Sequence, residues 1–328
     1  MRLRYIGRKL GFYLVAAWIA ITLNFFLPRL IPGDPVAIII NKQQQSGTVP
    51  PGEADQLRKL LGLGSGSLLG QYGQYLDSLA HLRFGLSITV FPTPVADLVR
   101  QALFWTLILV GVATVLSFGL GVALGAITGW KRGSRLDAVV PATTLLTAVP
   151  YFWLALLLVY VFASKWQIFP EQGGYDPSLD VGWNGAFIGS AIQHSLLPAI
   201  TLILASIGGW LLGMRNMMVA TLAEDYVVAA EAKGLRPMRV MARYAARNAV
   251  LPSVSGFAVS IGFVVTGQIV MEQVFNYPGI GNLLFSAVQN EDYPLMQGIF
   301  LAISFAVLGA NLLVDLLYGV LDPRTKEA

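Results

Sequence analysis

The stretch TLAEDYVVAAEAKGLRPMRVMARYAARNAVLP, residues 221–252, is a polar island between two long apolar runs. It holds Lys233, Arg236, Arg239, Arg243 and Arg247 against Glu224, Asp225 and Glu231. Its local grammar is helical. Thr221 followed by Glu224 reads as a capping box, in which each side chain would satisfy a free amide at a helix start. The Ala-rich run 227–233 is cheap to place in a helix. Gly234 can take the left-handed turn that stops such a helix. Pro237 then fits the first turn of a second helix, where its missing N–H is no loss. Steps of three and four residues put the four arginines on one face. A short helix, a glycine stop and a second helix at a membrane edge make a stiff protrusion, suited to receiving a push from a soluble partner. The other reading is an ordinary cytoplasmic loop whose arginines follow the positive-inside bias.

The chain around the island is membrane-like. Its 328 residues are 55% hydrophobic and only 12% charged, about half the charge of ordinary soluble domains, and the mean hydropathy is +0.64. The net charge of +4 calls for no nucleic acid, because the basic residues cluster beside apolar spans, where orientation explains them. The chain has no cysteine, which excludes disulfides, thiolate chemistry and Cys-based metal sites. Two histidines, His81 and His194, do not make a metal site, and no catalytic residue or cofactor is expected.

Apolar runs at 10–27, 102–128, 138–163, 196–213, 249–270 and 295–320 predict six spans, since about 20 residues cross a ~30 Å hydrocarbon core. Gly119, Gly121 and Gly125 offer a small-residue face for close helix packing. Linkers 129–137 (Lys131, Arg132, Arg135) and 214–248 (six Lys or Arg) are basic. Linkers 164–193 and 271–293 carry Glu171, Asp176, Asp180, Glu272, Glu291 and Asp292 with only Lys165 against them. The positive-inside rule then places both termini in the cytoplasm of a multi-pass cell-membrane protein. The organisation expected is a cytoplasmic tail and first span over 1–30, an extracellular segment over 31–97, a five-helix core over 98–320 and a tail over 321–328. The middles of spans two to six carry no Asp, Glu, Lys, Arg or His, which argues against a proton relay. No Gly-Lys pair exists, so no phosphate loop does either, and any ATP must be hydrolysed on another polypeptide.

Several motifs carry a family resemblance. The chain reads Ala230-Glu231-Ala232-Lys233-Gly234-Leu235, then Arg247-Asn248-Ala249-Val250-Leu251-Pro252. This resembles the cytoplasmic loop of ATP-binding-cassette importer permeases, in the wording of their dipeptide and oligopeptide branch. IPGDP from Ile31, QYGQYLDSL from Gln71, KRGSRLD from Lys131, Asp292-Tyr293-Pro294 and NLLVDLLYGVLDPR from Asn311 are similar to the same branch. The resemblance implies an all-α polytopic membrane protein with the type I importer permease fold, six transmembrane helices and a long extracellular segment after the first. It implies as partners a second homologous permease, two cassette ATPases and an extracellular solute-binding protein, besides membrane lipid. It makes the 221–235 helix the ATPase-coupling element, with Glu224, Asp225, Tyr226, Ala229, Ala230, Lys233 and Gly234 in contact. It makes Glu272, Phe275, Tyr277, Pro278 and Gly279 an outer gate or a docking surface for the binding protein, a structural loop being the plainer reading. Oligosaccharides or nickel are alternative cargoes. An ion-driven secondary carrier, or a receptor that only signals, are alternatives of another class.

Overall fold

The computed structural model describes residues 3–30, 67–264, 266 and 268–321. Among these residues the chain is helical apart from turns and one isolated bridge between Leu86 and Pro94. The helices are α1 (Leu3–Leu30), α2 (Leu68–Ala80), α3 (Val95–Trp130), α4 (Val139–Ala148), α5 (Tyr151–Leu158), α6 (Gly185–Thr221), α7 (Asp225–Ala232), α8 (Pro237–Arg239), α9 (Ala246–Ala249), α10 (Leu251–Val264), α11 (Ile269–Val274), α12 (Ile280–Gln289) and α13 (Tyr293–Leu321). π-helical turns Val159–Lys165 and Val240–Ala245 extend α5 and join α8 to α9.

Among the described residues, four helices are long and apolar enough to cross a membrane, and a fifth span results if α4 and α5, bent by 101°, count as one. The run expected to span at 249–270 is interrupted. Its helix α10 has 14 residues, about 21 Å at 1.5 Å per residue, which is short of a ~30 Å core. By contrast α3 and α6 have 36 and 37 residues and outreach the hydrocarbon. Large exposed apolar side chains along the spans, such as Leu14 (69%) and Trp18 (58%), suit a lipid solvent.

The chain forms two compact units. The first comprises Met1–Trp105 and Gly279–Ala328. In it α1 packs along α13. The Asn24 side-chain amide donates to the Gln297 carbonyl (3.0 Å), and the Gln297 amide donates back to the Asn24 carbonyl (3.0 Å). Toward the other end of α1, Asp315 accepts from Lys9 Nζ (2.7 Å) and the Tyr13 hydroxyl (2.8 Å). A lysine one turn before Tyr13 thus supplies the cation beside Asp315. Helix α2 carries Tyr72 and Tyr75 of the QYGQYLDSL motif, and their rings pack on Phe25. The IPGDP motif from Ile31 lies outside the described residues. The apolar core joins Val95, Val99 and Ala102 of α3 to Ile280 and Leu284 of α12 and to Leu295 and Ile299 of α13.

The second unit is Thr106–Pro278. Here α3 lies against α6 through glycines. A Cβ at Gly121 would stand 2.9 Å from the Ile207 carbonyl, at Gly125 2.5 Å from the Leu211 carbonyl, and at Gly129 2.6 Å from Met218 Cβ. Gly119, expected on this face, has no neighbour within 4 Å. The true stripe recurs every four residues and continues to Gly129, so the backbones approach to a distance that side chains would forbid. On the other side of α6, Gly208 meets the Thr143 carbonyl of α4 in the same way.

Candidate functional site

The polar island folds as two short helical pieces around a glycine, as its sequence predicts, but the start differs. Thr221 ends α6 and is buried, and α7 begins at Asp225 with Glu224 as N-cap and no side-chain cap bond. The capping box is therefore absent. The apolar run before Thr221 continues as helix straight through it, and the turn 222–224 is held by backbone bonds, including Glu224 N–H to Thr221 O (3.1 Å). Asp225 in the first turn favours the helix dipole.

The end of α7 is as expected. Gly234 has φ +70°, its N–H donates to Glu231 O (2.8 Å), and the Leu235 N–H donates to Ala230 O (3.4 Å). This is a Schellman stop, which satisfies carbonyls the helix leaves open. Pro237 then occupies the first position of α8.

Val227 and Ala230 turn inward. They pack with Ala126 of α3, Met214 and Met218 of α6, and Val240, Ala245 and Ala249 of the following segment. Burying Val227 alone contributes roughly 1.5–3 kcal/mol. Ala230 is 3% exposed, so of the seven coupling candidates it fixes the helix to its own chain rather than facing outward. Glu224, Asp225, Tyr226, Ala229, Lys233 and Gly234 are exposed. The Asn248 amide donates to the Tyr226 hydroxyl (2.8 Å), tying α7 to α9. Asn248 was not singled out from the sequence, although it lies in the quoted Arg-Asn-Ala wording. Among the described residues Arg236, Arg239, Arg243 and Arg247 make no ion pair and all four are exposed.

The second candidate cluster is mostly interior. Glu272, Phe275 and Tyr277 are 0%, 2% and 0% exposed. Thr106 donates to Glu272 Oε1 (2.8 Å), and the Tyr277 hydroxyl shares a hydrogen bond with Ser195 of α6 (3.0 Å). Burial pushes the Tyr277 phenol up to about 12; the Ser195 bond opposes this and Glu272 adds to it. The Phe275 carbonyl accepts from the Gly173 N–H (2.8 Å), which ties the 166–184 segment to the motif. Pro278 is half-buried, and Gly279 precedes α12 as its N-cap.

Comparisons with known proteins agree with this architecture. The family described as binding-protein-dependent transport system inner membrane component matches residues 121–327. A Brucella suis protein named "Putative peptide permease protein" is 36% identical over 305 residues, covering 93% of each chain. The dipeptide transport system permease protein DppB of Escherichia coli K12 is 32% identical over 344 residues, covering 99% of each. The matched residues hold the polar island, the glycine stripe and the 272–279 motif together, and the chain belongs to the family of binding-protein-dependent transport system inner membrane components.

Proposed function

We propose that this chain is one of two homologous permease subunits of an ATP-driven importer for dipeptides or oligopeptides. It is a membrane component of a transport system and not an enzyme. The names of the Brucella and Escherichia relatives support the peptide class. In this reading, which counts the interrupted 249–270 run as one span, the chain crosses the cell membrane six times with both termini in the cytoplasm, and a second permease completes the pathway. Two cassette ATPases drive it, and an extracellular solute-binding protein delivers the cargo.

The observation that carries the reading is the construction of α7. Its inner face is anchored by Val227 and Ala230, its end is fixed by Gly234, and its outer face is left to Glu224, Asp225, Tyr226, Ala229 and Lys233. A helix held this way transmits displacement instead of absorbing it. When the ATPases close on ATP, α7 moves with them, and the core packed on it, Met214 and Met218 of α6 among them, follows. For Glu272, Phe275, Tyr277, Pro278 and Gly279, burial supports an outer gate over a docking surface, because the ring and carboxyl groups are turned away from any partner.

Gly234→Val tests the lever. Its φ of +70° is strained for any L side chain, by roughly 1–2 kcal/mol, while nothing lies within 4 Å of the added Cβ. The purified, reconstituted transporter should keep its subunits and its basal ATP hydrolysis while peptide uptake falls about tenfold or more. Gly234→Asn, which tolerates the left-handed region, should stay close to wild type. Normal uptake by the valine variant would sink the coupling role. Gradient-driven uptake by the lone chain in liposomes without ATP would instead favour the ion-driven carrier.

A further inference from the structure

Two helix interruptions meet at one cavity in the Thr106–Pro278 unit. The first is the 101° break between α4 and α5, where Val149 is extended and Pro150 has no N–H to give. The second is the gap between α10 and α11, where Gln268 lies outside both helices. The cavity has a volume of about 390 Å³ and is lined by Thr114 of α3, Thr147, Pro150 and Tyr151 at the first break, Ser206 of α6, and Gln268 at the second. That volume falls within the range of small-molecule sites.

The lining chemistry is neutral and directional. The Thr114 hydroxyl donates to Val110 O (2.6 Å), that of Thr147 to Thr144 O (2.8 Å) and that of Ser206 to Leu202 O (2.7 Å). The Thr114 and Thr147 donors are used within their own helices, so these oxygens face the cavity as acceptors, while the Ser206 hydroxyl also shares a hydrogen bond with Ser117 of α3 (2.8 Å) and keeps one lone pair. Pro150 withholds an N–H from the last turn of α4, which leaves further carbonyl acceptors at the break. The Gln268 amide supplies donors and has no side-chain hydrogen bond among the described residues. No charged residue lines the space.

Thr147, Pro150 and Ser206 are exposed on the chain's own surface. The open carbonyls of a broken helix cannot face hydrocarbon, since each unsatisfied group costs several kcal/mol there. At membrane depth they are tolerated only against protein or along a water-filled path. Discontinuous helices are also where transporters place substrate sites.

We infer that this cavity is a transient binding site for the amide backbone of the transported peptide, an inference that rests on the importer reading above. Acceptors on α3, α4 and α6 receive peptide N–H groups, and Gln268 donates to a peptide carbonyl. With no charge in the lining, the peptide's ionised termini and its side chains go unread here, so the site holds peptides of many sequences.

The test uses the complete transporter in proteoliposomes and a dipeptide carrying a photoreactive benzophenone side chain. In the wild type, label should map to 110–114, 147–151 or 202–206 and be displaced by excess unlabelled dipeptide. Gln268→Leu removes the donor and Ala205→Phe fills the cavity. Each should cut labelling and uptake about tenfold, with subunit assembly and basal ATP hydrolysis kept. Wild type that imports dipeptide while its label maps elsewhere, or both variants importing normally, overturns the cavity assignment and leaves the importer reading standing. Wild type that imports no peptide overturns both.

Discussion

Gly125→Leu is expected to abolish accumulation of the folded protein. The ideal Cβ at this position would already lie 2.5 Å from the Leu211 carbonyl, 2.8 Å from Met214 Cβ and 3.1 Å from the Arg215 N–H. Two of these three neighbours are backbone atoms of α6, which cannot rotate aside as a side-chain tip can. Relief requires the helices to separate along their whole glycine stripe, which loosens Gly121 and Gly129 as well. Overpacking a tight site costs about 1–3 kcal/mol where side chains can give way, and a backbone clash lies at or beyond the top of that range. Monodispersity and thermal unfolding in detergent are the readouts. Gly119→Leu is the control: it lies on the same helix, but its Cβ meets nothing within 4 Å. It should behave as wild type. Equal loss from both substitutions would show that helix propensity or insertion, rather than the α3–α6 contact, sets the outcome.

Asp292→Ala carries the second large effect. This buried carboxyl accepts from the Ser87 hydroxyl (2.5 Å), the Thr89 N–H (2.9 Å) and the Leu295 N–H (3.1 Å). It caps the start of α13 and pins the 86–94 turn to that cap. Alanine leaves buried donors without an acceptor, at about 1–3 kcal/mol for such a group, and loses a cap worth about 0.5–2 kcal/mol. The melting temperature should fall clearly, and protease should cut faster near residues 82–94. The Asp292→Asn variant keeps one acceptor oxygen and should recover part of the loss. Asp97→Ala is the contrast. Asp97 is half-exposed and sits 3.8 Å from Arg100, and such a pair is worth about 0–1 kcal/mol.

The parts legible in the sequence were those governed by local rules. Gly234 and Pro237 announce a helix stop and restart, and both stand where the sequence puts them. Composition and apolar run length point to the membrane class. The capping box at Thr221 failed because a helix-start signal says nothing about a helix arriving from upstream, and α6 carried through it. The 249–270 run looks continuous because apolarity alone does not register a break near Gln268. Of the glycines near 120, hydropathy could not tell which face meets α6; the four-residue step from Gly121 to Gly129 held that information, and a pattern mixing Gly119 with Gly121 blurred it. Burial of Glu272 and Tyr277 was out of reach, since their partners Thr106 and Ser195 lie 166 and 82 residues away. The hydroxyls of Thr114, Thr147 and Ser206 look like incidental Ser and Thr in apolar helices until folding gathers them around one space.

The seam between α1 and α13 has a practical corollary. Lys9 touches Asp315 at 2.7 Å, so the chain leaves its first and last helices at neighbouring points on one side. Complementary halves of a split fluorescent reporter, fused to the two termini of a single molecule, should therefore reassemble without any second copy. Their glow would report a closed polypeptide, and Asp315→Arg, which sets two cations face to face, should dim it.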